Sequence, residues 1–392
     1  LRGTLTLQRQ GKSKRFQLKT TPDSSETANS GEGILPWLLA GLLVIIVLLS
    51  AAVIGNVVGT KGLRDLDTCW ILASGRAMVE SHSILQTDPF SYTFQSLNRP
   101  FVMHQWLSEI IFYYVYKLSG LAGLVYFCTF LVTASFTCIP LYFTTWLRKS
   151  YVIALIVIAL APLTTVVRLI ARPELFAFVC LASWLILLAR LRNTNEKSAL
   201  RWRLIACFGL VMVLWTNLHS SFVLGVCLML YFVAEDLFCY LVGRKNASSS
   251  RPFDFTAFIA LAITTCATLC NPYGIGLLKY VSDLVSSPLK LFISEMMPIT
   301  PENLAIPLVW PFLAFLFLCM AIIVQAFSEE NGHADKLQQY HRIFSALLMV
   351  AMVVFAFSCR RYISFCALTL TFQIASFYPS RSNGSLTANI EP

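Results

Sequence analysis

KGLRDLDTCWILASGRAMVE, Lys61 to Glu80, is the stretch on which the reading of the fold turns. It follows almost directly on Ile34 to Val58, an uncharged run long enough to cross a bilayer. It opens with two acids, Asp65 and Asp67. Leu66, Trp70, Ala73, Ala77 and Met78 then fall at helical spacing, with Arg64, Ser74, Arg76 and Glu80 between them. That pattern predicts an amphipathic helix lying on a membrane surface. A span followed by a surface helix makes the fold class all-α: a polytopic transmembrane bundle with in-plane helices in its first outer loop. It also places the two acids at the rim of an active site embedded in the membrane.

Composition agrees. Of 392 residues, 57% are hydrophobic and only 13% charged, about half the charged share of a soluble domain. The 12 cysteines are scattered through apolar runs without a C-x-x-C pair, so they read as free, small apolar residues rather than zinc or redox ligands. Residues 1–33 are basic, then rich in Ser, Thr, Asn and Gly, and read as a disordered cytoplasmic tail. The chain begins at Leu1 without an initiator Met, so further residues upstream are expected.

Residues 59–120 form the longest polar interruption, the large outer loop. It contains the surface helix, the turn-rich LQTDPFSYT and then HQWLSEIIFYYVYKLSG. The last piece is aromatic, short for a span and interrupted by His104, Glu109 and Lys117, and it reads as a second in-plane helix with a full span as the alternative. Further spans are expected at about 121–147, 151–168, 174–190, 204–219, 222–242, 255–271, 304–327, 343–359 and 362–379. With the first, that makes ten. The transmembrane domain then covers 34–379, and residues 380–392 form a second cytoplasmic tail.

With the N-terminus inside, most of the 30 Lys and Arg fall on the cytoplasmic side, and both ends face in. The formal net charge of +10 is thereby explained by topology, and no nucleic-acid partner is implied. The same assignment gathers the unusual polar residues outside: Asp65, Asp67, His104, Glu109, Arg168, Arg172, Glu174, Asn217, His219, Asn271, Tyr273, Glu295, Arg360 and Arg361. Ionisable groups at membrane depth are costly unless they face a partner or a cavity, so they mark a candidate site.

Each has a plainer reading beside it. Asp65 or Asp67 can cap a helix, whereas the pair can bind a divalent cation or supply a general base. The arginines can anchor to headgroups or grip a phosphate. On sequence alone His219 reads first as a satisfied core histidine, and Asn271-Pro272-Tyr273-Gly274 as a turn. Asn246 and Asn383 begin Asn-x-Ser triplets but fall on the inner side, where glycosylation is not expected.

Taken together, DLDTCWILASGRAMVE, TDPFSYT, RPFVMHQWLSEIIFYYVYKLSGLAGL, RPELF, NLHSSFVLG and NPYG resemble bacterial members of the GT-C superfamily of integral membrane glycosyltransferases. That superfamily includes protein O-mannosyltransferases and the aminoarabinose transferase of lipid A. The resemblance implies an enzyme of the bacterial inner membrane with its active site facing outward. Asp65 or Asp67 matches the acid that orients or deprotonates the acceptor, in some members with a divalent cation (Mg or Mn). Arg360 or Arg361 matches the basic position that holds the phosphate of a polyprenyl-phosphate sugar donor. Arg172, His104, Glu109 and His219 would line the cavity on the donor side, and the acceptor would be a lipid, glycan or protein. The mannosyltransferases carry an Asp-Glu pair where this chain has Asp-Leu-Asp. The alternatives are a transporter or flippase of a lipid-linked or anionic substrate, and a non-catalytic partner in envelope assembly. Few charges on the inner halves of the spans, chiefly Glu235 and Asp236, weigh against transport.

Overall fold

Twenty-seven residues without a charge, Ile34–Thr60, form α1 of a computed structural model. The structure describes residues 34–60, 65–92, 101–145, 151–194, 198–245, 254–288, 292–302, 309–328 and 336–377. Both expected tails, most of the basic inner loops and the two Asn-x-Ser triplets lie outside these residues. The described chain is helical throughout. After α1 come α2 (Leu66–Ser81), α3 (Trp106–Thr145), α4 (Tyr151–Leu160), α5 (Glu174–Arg192), α6 (Ala199–Leu218) and α7 (Phe222–Lys245). They are followed by α8 (Phe255–Ala267), α9 (Ile275–Ser286), α10 (Val309–Ser328), α11 (Lys336–Ser358) and α12 (Ile363–Phe377).

Six of these are long and apolar enough to cross a membrane, in α1, α3, α5, α6, α7 and α11. Shorter apolar segments run over Val152–Thr165, Phe255–Ala267 and Val309–Gln325. This is the architecture of an integral membrane protein.

As one rod, the 40 residues of α3 would be about 60 Å long, twice the hydrocarbon thickness. Gly120 resolves this with φ 63° and ψ −161°, a conformation open to glycine and strained for other residues. The chain therefore forms two helices that meet at Gly120, separating the short aromatic piece from the segment that follows.

The expected span over 151–168 is also composite. Pro162 lacks an N–H and α4 gives way to a 3-10 helix, Ala161–Arg168. The Thr164 and Thr165 hydroxyls donate to the carbonyls of Ala161 and Pro162, three residues back. The expected span over 255–271 likewise stops at Ala267, with an Asx turn beyond it.

The helices pack around α5 and α12. Trp184 is fully buried between Phe208 and Trp215, at ring separations of 4.7 and 6.1 Å. Phe178 meets Phe365 of α12 at 5.2 Å and Phe136 of α3 at 6.3 Å. α1 lies at the edge of the bundle, with Leu43, Ile54 and Val58 its only buried residues among those described. The twelve cysteines are free, as their scatter suggests.

The face that α2 presents needs correcting. Its buried residues are Thr68, Ile71, Ser74, Gly75 and Met78, whereas Leu66 is 85% exposed. The packed stripe combines Ile71 and Met78 with the small Thr68, Ser74 and Gly75, so of the expected apolar set only Met78 is buried and Ser74, read as an interruption, faces inward. A Cβ on Gly75 would sit 2.3 Å from the Glu109 carbonyl oxygen, so glycine is what lets α2 approach α3 this closely. Trp70 instead packs edge-on against Phe90 and Phe101.

Candidate functional site

Two tight turns bring the polar residues together. Arg168 ends the 3-10 helix, and Glu174 begins α5 six residues later. The Arg168 guanidinium pairs with Glu174 through NH2 and Nε, and with Glu295 through NH1. Pro173 sits at the N-cap of α5.

Arg172 is the hub. Its Nε donates to Asp65 Oδ2 at 2.9 Å, its NH2 lies 2.6 Å from Asp67 Oδ2, and its NH1 donates to both oxygens of Glu295 at 3.1 and 3.2 Å. Asp65 occupies the N-cap position of α2 yet makes no side-chain capping bond. Its carboxylate is committed to Arg172, so capping does not account for it. Asp67 is more open, at 59% exposure against 20% for Asp65.

Glu295 reaches the site because its segment is tied to the end of α11. Ile299 N–H donates to the Phe357 carbonyl, and Arg360 N–H to the Met297 carbonyl. Those bonds also carry in Arg361, whose Nε is 3.7 Å from Glu174 Oε2. Burial raises the Glu295 carboxyl, but Arg168, Arg172 and Arg361 outweigh it and hold its pKa below the ordinary range.

The first loop is sewn onto two other turns. Met103 N–H donates to the Tyr273 hydroxyl, Trp106 Nε1 to Asn217 Oδ1, and the Ser108 hydroxyl to the Leu218 carbonyl. Asn217 reaches on to the Cys270 carbonyl. Asn271 Oδ1 accepts from Tyr273 N–H, so Asn271 serves the turn while Tyr273 touches the site loop.

His104 and His219 are both held below the ordinary imidazole range. Burial pushes His104 down to about 4, helped by the positive charge of Arg361. His219 is buried and driven well below its usual value by burial, then by Arg361, His104 and Arg168. The tautomer of His219 follows from its neighbours. Trp215 Nε1 donates to the Ser221 hydroxyl, and the Ser221 N–H donates to His219 Nδ1. Nδ1 is thus an acceptor and the ring proton sits on Nε2. His219 is satisfied on one edge, as the sequence reading held, and carries a donor on the other.

Glu109 stands apart from the arginines. It is fully buried, Oε1 accepts from Gln105 at 2.9 Å, and Oε2 has no hydrogen-bond partner among the described residues. Glu174 Oε1 and Arg360 Nε are likewise buried without a hydrogen-bond partner. The structure therefore gathers Asp65, Asp67, Arg172 and Arg361 into one network, sets His104 and His219 within its field, and keeps Glu109 to one side. Arg168, Glu174 and Glu295 complete the network. The sequence reading groups all three with the other unusual polar residues, although Glu295, 123 residues from Arg172, reaches the network only through tertiary contacts.

A divalent cation does not fit the acidic pair as arranged. The Arg172 guanidinium occupies the place between Asp65 and Asp67, and no group of three metal-binding side chains gathers among the described residues.

The opposite end of the bundle holds two further clusters. Arg192 NH2 and His341 Nδ1 both contact Glu235, at 2.5 and 2.7 Å. Buried Arg201 pairs with Asp254 and donates to Thr256 and to the carbonyls of Leu191 (2.9 Å) and Thr194 (2.7 Å). The helix ends remote from Asp65 and Asp67 thus carry more charge than Glu235 and Asp236 alone suggested.

No family model, curated protein or solved structure matches this chain.

Proposed function

We propose that the chain is an integral membrane glycosyltransferase of GT-C type, with ten spans and both termini in the cytoplasm. In this reading it moves a sugar from a polyprenyl-phosphate donor to a hydroxyl of an envelope acceptor on the outer face. The observation that carries the proposal is the network itself: carboxylates and guanidiniums from four separate segments converge at one end of an apolar bundle. Sugar transfer from a lipid phosphate needs both charges there, a base for the acceptor and cations for the leaving phosphate.

In the proposed step the acceptor oxygen attacks the anomeric carbon from the face opposite the phosphate. Its proton passes to a carboxylate while the bond from carbon to phosphate oxygen breaks and its electron pair leaves with the phosphate. Configuration inverts, as in single-displacement glycosidases. Arg361, with Arg360 beside it, stabilises the charge that develops on the leaving group. Asp67 is the better base, since it is the more exposed acid, and Asp65 anchors Arg172. The donor phosphate competes with these carboxylates for Arg172, so donor binding loosens the pairing and frees Asp67. His219 Nε2–H adds a neutral donor within the field of Arg361. The lipid tail supplies binding energy away from the reacting carbon.

Purified protein given a panel of polyprenyl-phosphate sugars and envelope acceptors should release lipid phosphate. Asp67→Asn should cut turnover by about 10²–10⁴-fold, the usual contribution of a general base. Unchanged turnover in a folded Asp65→Asn/Asp67→Asn double variant would remove the assignment of the base.

A further inference from the structure

Every nitrogen of two guanidiniums at the site end already holds a carboxylate. Arg172 gives Nε to Asp65, NH2 to Asp67 and NH1 to Glu295. Arg168 gives Nε and NH2 to Glu174 and NH1 to Glu295. An anion reaches either guanidinium only by taking the place of a carboxylate. Which carboxylate gives way therefore decides where an anionic ligand sits.

Of these four acids, Glu295 is the one that bridges the two arginines. Its Oε2 lies 2.5 Å from Arg168 NH1 and 3.2 Å from Arg172 NH1, and its Oε1 accepts from Arg172 NH1 at 3.1 Å. Its departure frees a nitrogen on both guanidiniums, whereas that of Asp65 or Asp67 frees one on Arg172 alone. Glu174 is 2% exposed and serves Arg168 twice, so releasing it would strand a charge in the interior. Glu295 is 31% exposed, and water receives it as it turns away. It sits on the short turn Ser294–Met296, none of whose residues is buried, close to the exposed Phe292. The segment stays anchored meanwhile, because Met297 and Ile299 are bonded to Arg360 and Phe357 through the backbone.

The vacated place suits a phosphate group. Its oxygens accept from planar guanidiniums as a carboxylate does, and a tetrahedral group addresses Arg168 and Arg172 with separate oxygens where Glu295 shares Oε2 between them. We infer that NH1 of Arg168 and NH1 of Arg172 form a subsite for a phosphate group, and that Glu295 is the internal anion exchanged for it. The exchange rests on the proposed function in one respect, that an anionic ligand comes to this network. The competition for Arg172 then begins at Glu295.

The test measures equilibrium binding to the full chain in detergent micelles, without turnover. The probes are farnesyl phosphate, inorganic phosphate and farnesol. In the intact protein a phosphate must displace Glu295 before it binds, and removing that requirement raises its apparent affinity. Glu295→Gln should therefore bind farnesyl phosphate about tenfold more tightly and leave farnesol binding unchanged. Asp67→Asn, which opens only NH2 of Arg172, should give a clearly smaller gain. Arg168→Gln with Glu174→Gln removes a buried pair together and should weaken binding of farnesyl phosphate. A gain in Glu295→Gln confined to farnesyl phosphate assigns the subsite to a lipid-borne phosphate, and a gain shared by inorganic phosphate assigns it to the free anion. Unchanged or weaker phosphate binding in folded Glu295→Gln would overturn the exchange, and so would an equal gain for farnesol. If Glu295→Gln fails to fold, Glu295→Asp, with the same charge on a shorter arm, decides by the sign of its effect. Tighter binding in a protein that transfers no sugar would remove the sugar-transfer reading and leave the exchange standing. Turnover with unchanged affinity in Glu295→Gln would do the reverse.

Discussion

The two ends of the bundle are both built on buried arginines, yet they are finished differently. Arg201 is saturated: a carboxylate, a hydroxyl and two carbonyls surround it, and its partner Asp254 also caps α8 by accepting from Thr256 N–H. It joins the end of α5 to the starts of α6 and α8. At the other end, Arg168, Arg172 and Arg361 share four acids, while Glu174 Oε1, Glu109 Oε2 and Arg360 Nε are buried without hydrogen-bond partners. A saturated network is a clip. One that shares its counter-ions and leaves buried polar atoms unmet among the described residues retains capacity for a further partner, which supports placing the proposed site at the Arg172 network rather than at Arg201.

The largest effect should come from breaking the clip. Arg201→Ala leaves Asp254 buried without its guanidinium, a change that typically costs about 3–5 kcal/mol. Denaturation in micelles should show this loss, whereas Arg172→Ala should be milder, because Asp65 and Asp67 remain partly open to solvent. Equal losses from the two variants would erase the distinction between the ends.

A smaller effect tests how the candidate site is held together. Gly75→Ala places a methyl group against the backbone of Glu109, where no side chain can turn away. Overpacking of this kind costs about 1–3 kcal/mol. It should also displace α2, and with it Asp65 and Asp67, so turnover should fall even in protein that remains folded. Full activity with an unchanged melting point would mean that α2 is not held on α3 as described.

These contrasts also show what the sequence disclosed. The long helices were legible because a bilayer requires about twenty apolar residues, a signal that survives without tertiary information. The polar residues of the site end were legible for the converse reason, since charge near such helices is rare. The packed face of α2 was legible only at Met78, because Thr68, Ser74 and Gly75 at a close helix contact resemble a polar face when only bulk is counted, and Ile71 falls off the expected stripe. α9 went unread as well: IGLLKYVSDLVS is twelve residues long and merged with its flanks into a loop. The pairing of Arg172 with Asp65 spans 107 residues, and that with Glu295 spans 123, distances over which only the folded chain decides. The cluster at the far end escaped notice because Arg192, Glu235 and His341 come from three helices and each is unremarkable in its own segment.

The smallest effect is a dependence on pH that should act on one end first. His104 has its pKa lowered from 6.5 to about 4, chiefly by burial and then by Arg361. A base with a depressed folded pKa binds fewer protons folded than unfolded between those values, so stability falls as pH drops from 6.5 toward 4. Glu295 acts in the same direction at lower pH. Arg168 and Arg172 hold its carboxyl below the ordinary range against the opposing effect of burial, so its contribution is present above that range and lost as pH falls through the folded value. Amide exchange followed from pH 7 to pH 4 and corrected for the intrinsic rate should therefore lose protection around 101–109 and 217–222 before it does so around 191–201 and 254–257. His104→Gln should flatten the upper part of that response and Glu295→Gln the lower part. Simultaneous loss at both ends, or a response unchanged in His104→Gln, would show that the site end is no closer to opening than the clip.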